Sequence, residues 1–317
     1  MGSISERPEA FPNIPPDEGT DIMWDLKVRM TADKSPDKVD LGAGVYRDEQ
    51  GKYYEIPVVR KVASIQTIGG TGACHIGAVF ASQYFQPSSS GPDKRPLDAY
   101  IGDPGWPNYG PLFTHAGLNP VFYPYHDAAT QTVALDALLA AIAAAPPRSV
   151  FVLQAVCHNP TGLDLTRTQW RAVADALAAR GHLPFFDIAY QGFGSGLDED
   201  AWPVREFAGR GLEIVVAQSF SKNLGLLENL SEMRERLQKN RKNLHRWLTE
   251  ELKTPGNWDH ILKESGLFSL LGLNPSQVLQ LASEDHIHFP TTGRINVAGL
   301  TETNVEKLAR AVDKIVR

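Results

Sequence analysis

Glu213-Ile-Val-Val-Ala-Gln-Ser-Phe-Ser-Lys222-Asn223 is the stretch from which the rest of the chain reads. An apolar, β-branched run with the character of a buried strand stops abruptly in two hydroxyls and an amine. Open α/β sheets bind ligands at the carboxyl ends of their strands, so this pattern delivers Lys222 to a ligand-binding edge. Partial desolvation favours the neutral, nucleophilic amine, which makes Lys222 a candidate for Schiff-base chemistry. Alone the signal is weak, because a strand-end lysine is more often solvated or salt-bridged, and the neighbouring segments have to decide between the two.

Working outward, Val150 to Val156 predicts a strand that leads into the turn Asn159-Pro-Thr-Gly162. The next helix opens on a capping box, Thr166 with Gln169, and puts Trp170, Val173, Ala174 and Leu177 on one face. A second strand, Leu183-Pro-Phe-Phe-Asp187, ends in an acid, and a third, Ile214 to Ala217, leads to Lys222. Strands alternating with amphipathic helices predict an α/β fold with a mainly parallel sheet covered by helices. Gly69-Gly-Thr-Gly72 opens a predicted helix running to about Phe85. Beyond Leu226, Leu230, Met233, Leu237, Leu244, Trp247, Leu248 and Leu252 recur at helical spacing, which predicts one long helix ending near Thr254-Pro-Gly256. Short strands at Gly266 to Leu271 and Arg294 to Val297, with a final helix, predict a smaller α+β domain.

Composition narrows the function classes. The chain has 317 residues, 42% of them hydrophobic and 21% charged, with a formal net charge of −6. That is enough for a large core, while a mildly acidic chain with no long basic run gives no footing for nucleic acid or a membrane surface. Cys74 and Cys157 have neither metal-ligand spacing nor a disulfide framework, and the histidines form no ligand cluster, so no metal site is expected. No apolar run approaches a membrane span, and the N-terminus has neither a signal-peptide core nor an Arg-rich transit pattern. Glu6 stands where a myristoylation signal at Gly2 would need Ser or Thr. A cytoplasmic setting is the expectation.

Three predicted strand ends carry polar groups: Asn159 on the first, Asp187 and Tyr190 on the second, Ser219 to Lys222 on the third. In a parallel sheet they converge on one crevice. An aldehyde cofactor held by a lysine needs an acid at its pyridine nitrogen, donors such as Asn159 and Tyr190 at its phenolic oxygen, and a phosphate anchor. Gly70-Thr71 at a helix start offers backbone amides for that anchor. Singly, each has a plainer reading: Asp187 as a cap, Asn159 to Gly162 as a turn, Trp106 as a loop anchor.

Taken together and in order, Asn159-Pro-Thr-Gly162, Phe186-Asp-Ile-Ala-Tyr-Gln-Gly-Phe-Gly-Ser-Gly196, Gln218-Ser-Phe-Ser-Lys-Asn223 and Gly293-Arg-Ile-Asn-Val297 resemble the fold-type I, pyridoxal-phosphate-dependent aminotransferases, specifically the aspartate aminotransferases. Val39 to Arg47, Ile56 to Arg60, Gly69 to Gly77 and Thr254 to Ile261 match as well. The resemblance implies pyridoxal 5′-phosphate as cofactor. Lys222 would form the Schiff base and later carry the proton; Asp187 would pair with the ring nitrogen, Tyr190 and Asn159 would bind the phenolic oxygen, and Trp106 would stack on the ring. Gly70, Thr71 and Ser219 would hold the phosphate. Arg294 would take the substrate α-carboxylate, helped by Gly44 and Asn159, with Trp106 also lining the substrate site. The implied reaction exchanges an amino group between L-aspartate and 2-oxoglutarate, giving oxaloacetate and L-glutamate, in a homodimer. The implied domains are residues 1–50 as arm and part of the small domain, 51–226 as the cofactor-binding domain, and 227–317 as the small domain with its connecting helix.

The chain departs from that family by being shorter in two places, at Ser64–Ile65 and at Leu226–Leu227. The second gap falls where the family has the arginine for the cofactor phosphate and the arginine that reads a dicarboxylate side chain. Arg234 and Arg236, near the junction, either substitute or form a solvated helix face. Tyr109 and Gln154 stand where histidines are usual. These departures keep two alternatives in view: an impaired derivative acting as a binding protein, and an aminotransferase preferring aromatic amino acids.

Overall fold

The computed structural model describes residues 22–42, 67, 69–85, 96–223 and 229–317. The first elements are α1 (Ile22–Ala32), β1 (Val39–Asp40), α2 (Gly69–Tyr84), β2 (Asp98–Asp103), α3 (Tyr109–His115), β3 (Asn119–Pro124), β4 (His126–Asp127), β5 (Thr132–Val133) and α4 (Leu135–Ala144). The middle of the chain supplies β6 (Val150–Gln154), α5 (Arg167–Arg180), β7 (Leu183–Ile188), α6 (Leu197–Asp200), α7 (Trp202–Gly209) and β8 (Val215–Gln218). The last part holds α8 (Leu230–Arg246), α9 (His260–Lys263), β9 (Phe268–Leu270), α10 (Pro275–Glu284), β10 (Ile287–His288), β11 (Arg294–Asn296) and α11 (Val305–Val316).

Five strands form one sheet in the order β3-β2-β6-β7-β8, every neighbouring pair parallel. The chain therefore has an α/β fold, as the strand–helix alternation predicts. Every residue of β7 is buried, as a strand covered on both faces requires, whereas Val216 on the β8 edge is exposed. Successive residues of β7 feed opposite layers. Phe185 packs with Cys74 and Ala78 of α2 and Phe113 of α3, while Phe186 packs with Trp170 and Val173 of α5 and Phe207 of α7. Thr166 and Gln169 form the predicted capping box, and α5 ends on Gly181 at φ 62°, a left-handed position that suits glycine.

A third core joins α8, α10 and α11 to Trp258, Phe268 and Phe289, and Leu41 enters it from the N-terminal side. The N-terminal segment reaches this core by pairing β1 in parallel with β10, Val39 opposite Ile287. β9 and β11 pair antiparallel, which sets Arg294 opposite Leu270.

The long helix predicted beyond Leu226 is interrupted. α8 ends at Arg246, and Trp247–Glu251 is a π-helical turn. Thr249 donates its hydroxyl to the His245 carbonyl, and the Leu252 amide reaches back five residues to Trp247. The wider turn keeps Leu248 buried. Gly44 and both shortened junctions lie outside the described residues.

Candidate active site

The carboxyl ends of β2, β6, β7 and β8 bring the predicted side chains to one edge of the sheet. Asp187 is the fifth residue of β7, in register with Gln154 on β6 and Ala217 on β8. Its carboxyl is buried, and burial pushes its pKa up against the pull of a Tyr109 hydrogen bond and the Lys222 charge. Lys222 lies four residues beyond β8, with Nζ 4.1 Å from the centroid of the Tyr190 ring. Burial lowers its pKa and Asp187 opposes that shift. Amine and carboxylate are thus electrostatic neighbours, and the lysine is half-buried.

Asn159 is buried, and Gln154 clamps its backbone. The Asn159 amide donates to Gln154 Oε1 at 2.9 Å, and Gln154 Nε2 returns a bond to the Asn159 carbonyl at the same distance. Arg294 donates through Nη1 to Asn159 Oδ1 at 3.1 Å and through Nη2 to the Gly42 carbonyl at 2.8 Å. Its guanidinium sits 4.3 Å from the centroid of Phe268, and Tyr190 meets the same ring edge-on. Asn159, Tyr190 and Arg294 therefore form one connected wall.

The opposite corner is built on small residues. A Cβ on Gly70 would lie 2.9 Å from Ser219 Cβ, so the first turn of α2 and the end of β8 touch only because residue 70 is glycine. Ser219 Oγ bonds both the hydroxyl and the amide of Ser221. Thr71 stands exposed in the same turn of α2. The α2 N-terminus adds backbone amides and the positive end of its dipole. Trp106 follows β2 and meets the Tyr109 ring edge-on at 5.1 Å.

Three contacts escape the sequence reading. Tyr109 donates to Asp187 Oδ2 at 2.6 Å, the Cys74 thiol on α2 adds to the electrostatic surroundings of the same carboxyl, and Gln154 holds Asn159. A signal for the first existed: Tyr109 follows the Trp106 segment at the end of a fourth strand, β2. Arg236 neither substitutes for a phosphate arginine nor lies on a solvated face, because it donates to the Ala298 and Leu300 carbonyls. Arg234 lies beside Gly196. Among the described residues no cluster of three or more His, Cys, Asp or Glu is arranged for a metal, and no helix is long and apolar enough to cross a membrane.

A parallel α/β sheet whose strand ends gather a desolvated lysine, a buried acid and an anion-ready helix start has the chemistry of a pyridoxal-phosphate enzyme. Residues 59–228 and 226–312 match the family described as Aminotransferase class I and II, and the chain belongs to that family. It is an aminotransferase, and its cofactor is pyridoxal phosphate. The chain is 38% identical over 313 residues to Aminotransferase tasG of Hapsidospora irregularis, covering 94% of each. It is 32% identical over 395 residues to the cytoplasmic aspartate aminotransferase of Gallus gallus, covering 91% of this chain and 95% of that one. The structure of an aromatic-amino-acid aminotransferase from Burkholderia pseudomallei, covalently bound to pyridoxal phosphate, superposes with a TM-score of 0.87 at 29% identity, covering 97% and 99%. An alignment of 313 positions that takes in 94% of both chains makes the Hapsidospora protein close to this one in length. A short chain is therefore not peculiar to this protein.

Proposed function

We propose that this chain transfers the amino group of L-aspartate to 2-oxoglutarate, giving oxaloacetate and L-glutamate, as a cytoplasmic homodimer. The observation that carries the reading is the placement of Asp187 and Lys222 at adjacent strand ends, with Lys222 over the Tyr190 ring, beside an Arg294 fixed on Asn159. The chemistry of the donor set fits pyridoxal phosphate, and so does the close approach that Gly70 permits. Lys222 would hold the cofactor covalently, Asp187 its ring nitrogen, Tyr190 and Asn159 its phenolic oxygen, Trp106 its ring face. Gly70, Thr71 and Ser219 would hold the phosphate. When bound, the cofactor supplies an electron sink for the substrate Cα.

The chain's own residues do the rest. Arg294 binds the substrate α-carboxylate as a planar fork, with Asn159 (and Gly44) completing that end. A neutral Lys222 amine, favoured by burial, would take the proton from the substrate Cα and carry it across the substrate nitrogen to the carbon on its far side. Under this reading residues 51–226 form the cofactor-binding domain, residues 227–317 the small domain with its connecting helix, and residues 1–50 the arm and part of the small domain.

Likeness to cytoplasmic aspartate aminotransferases supports aspartate, and likeness to an aromatic-amino-acid aminotransferase supports a second reading, preference for an aromatic substrate. Protein incubated with pyridoxal phosphate, reduced with borohydride and digested should carry the phosphopyridoxyl mass on the Lys222 peptide, and Lys222→Ala should not. Parallel kcat/KM values should favour L-aspartate over L-phenylalanine, and the protein should sediment as a dimer of the 34.8 kDa chain. No adduct would leave a binding protein, and a preference for phenylalanine would select the second reading.

A further inference from the structure

Tyr109 opens α3 just beyond the segment that carries Trp106, and its hydroxyl donates to Asp187 Oδ2 at 2.6 Å across 78 positions of sequence. The ring is 2% exposed and held on several sides. Trp106 meets it edge-on at 5.1 Å and 89°, and Phe113 at 6.3 Å and 74°. Phe113 in turn packs at 5.2 Å on Phe185, two residues before Asp187 on β7. A ring caged this way cannot swing its hydroxyl off the carboxylate.

We propose that Tyr109 is a positioning residue of the transamination site: its hydroxyl holds and aims the Asp187 carboxylate, while its ring fixes Trp106 at a right angle. This rests on reading Asp187 as the partner of the cofactor's ring nitrogen.

Burial by itself favours a protonated Asp187, and Tyr109 supplies the largest opposing influence, ahead of Lys222 and Cys74. Among the described residues, the titratable groups facing that carboxyl are Tyr109 from α3, Cys74 from α2, Lys222 from the loop after β8 and Tyr190 from its own loop. Burial pushes both phenols and the thiol upward, so none of the three ionises between mildly acid and mildly alkaline pH. A caged phenol is therefore a donor of constant strength, whereas an imidazole in its place would change charge within that interval.

The sign of the effect follows. Tyr109→Phe preserves the ring and removes the donor, so the Asp187 carboxyl rises further and its neutral form takes over at a higher pH. A neutral acid does not hold a protonated ring nitrogen, so cofactor affinity fails at a higher pH than in the unaltered protein. The readout is the dissociation constant of pyridoxal phosphate from cofactor-free protein, measured by equilibrium dialysis across pH. The acid limb of binding should move up by about one to two pH units in Tyr109→Phe, the size of one hydrogen bond to a charged group. Tyr109→His should restore the donor and add a step in the imidazole range. In an Asp187→Asn background, Tyr109→Phe should leave the limb where it was, which a purely structural role would not predict. Superimposable profiles for the unaltered, Phe and His proteins overturn the proposal. If Tyr109→Phe does not fold, the His variant decides by the presence or absence of its step. Unaltered protein that carries no adduct on Lys222 removes the underlying reading, and this proposal with it; an adduct with unmoved profiles removes this proposal alone.

Discussion

At Gly70 the site depends on a missing side chain. The turn that starts α2 approaches the end of β8 so closely that one methyl group would press on Ser219 Cβ at 2.9 Å and on its Oγ at 3.3 Å. Both neighbours are held: the Ser219 amide donates to the Ile188 carbonyl, and its hydroxyl engages Ser221. Gly70→Ala must therefore part the helix start from the strand end. Overpacking of this kind costs about 1–3 kcal/mol, but a surface crevice can open, so the lower part of that range applies. The larger effect falls on the anion site, whose amides and hydroxyl no longer converge. Gly70→Ala should lower pyridoxal phosphate affinity by about tenfold, as expected for one or two weakened charge-assisted hydrogen bonds. Titration of the cofactor-free variant checks this, with Gly77→Ala as the contrast: its Cβ would meet the Phe185 ring at 2.9 Å, a clash inside the core rather than at the site. Gly77→Ala should lose stability first.

Elements are held to the site by a second set of buried contacts, centred on α8. Arg241 is buried and paired with Glu264 at 2.6 Å, and it also donates to the carbonyls of Ser265, Gly266 and Phe268. Phe268 is the first residue of β9, and its ring lies under Arg294. Arg241→Leu strands a buried carboxylate together with the carbonyls of Ile261, Ser265, Gly266 and Phe268, so it should cost about 3–5 kcal/mol. The Arg241→Leu, Glu264→Leu double change should recover part of that, because the charge is gone while the carbonyls still lack their donor. Denaturant unfolding of both variants measures the difference, and a double variant no more stable than the single one would contradict the assignment. How much of this was legible beforehand depended on the range of the interaction. The α5 capping box spans three residues, and the strands ending at Asp187 and Lys222 carry their own apolar pattern, so both read directly from sequence. β2, by contrast, runs Asp-Ala-Tyr-Ile-Gly-Asp, too short and mixed to stand out, although parallel pairing on both sides places it second in the sheet. Tyr109 on Asp187 and Arg241 beneath β9 depend on packing between distant segments, which no local pattern encodes. The π turn after α8 leaves no local signal either: Leu248 continues the apolar stripe whether the turn is regular or wide.

The whole molecule is tied together across the crevice rather than beside it. Sheet-edge residues bond directly to the C-terminal half: Arg294 to Asn159, Ser265 to Asp164 at 2.5 Å, and the Ser265 amide to the Gly162 carbonyl. Tyr190 and Phe193, from the loop after β7, belong to the same core as α8, α10 and α11. Gly162, at φ 71°, lets the turn after β6 lie against that half, where a Cβ would sit 2.5 Å from the Phe268 carbonyl oxygen. Two halves joined by buried contacts should unfold together, so calorimetry should record a single transition. A ligand that binds only the folded chain adds RT ln(1 + [L]/Kd), about 2.7 kcal/mol at one hundred times Kd. For a chain of this size that is a rise of about 3–6 °C. Because the resemblance leaves the phosphate without its usual arginine, Kd should be weakened by about one to two decades, and the rise should appear only at correspondingly higher cofactor concentration. Lys222→Ala should lose most of the rise, since the remaining contacts hold the cofactor without a covalent bond. Two transitions, of which only the lower moved with cofactor, would mean that the contacts between Asn159 and Arg294 and between Asp164 and Ser265 do not couple the sheet to the C-terminal half.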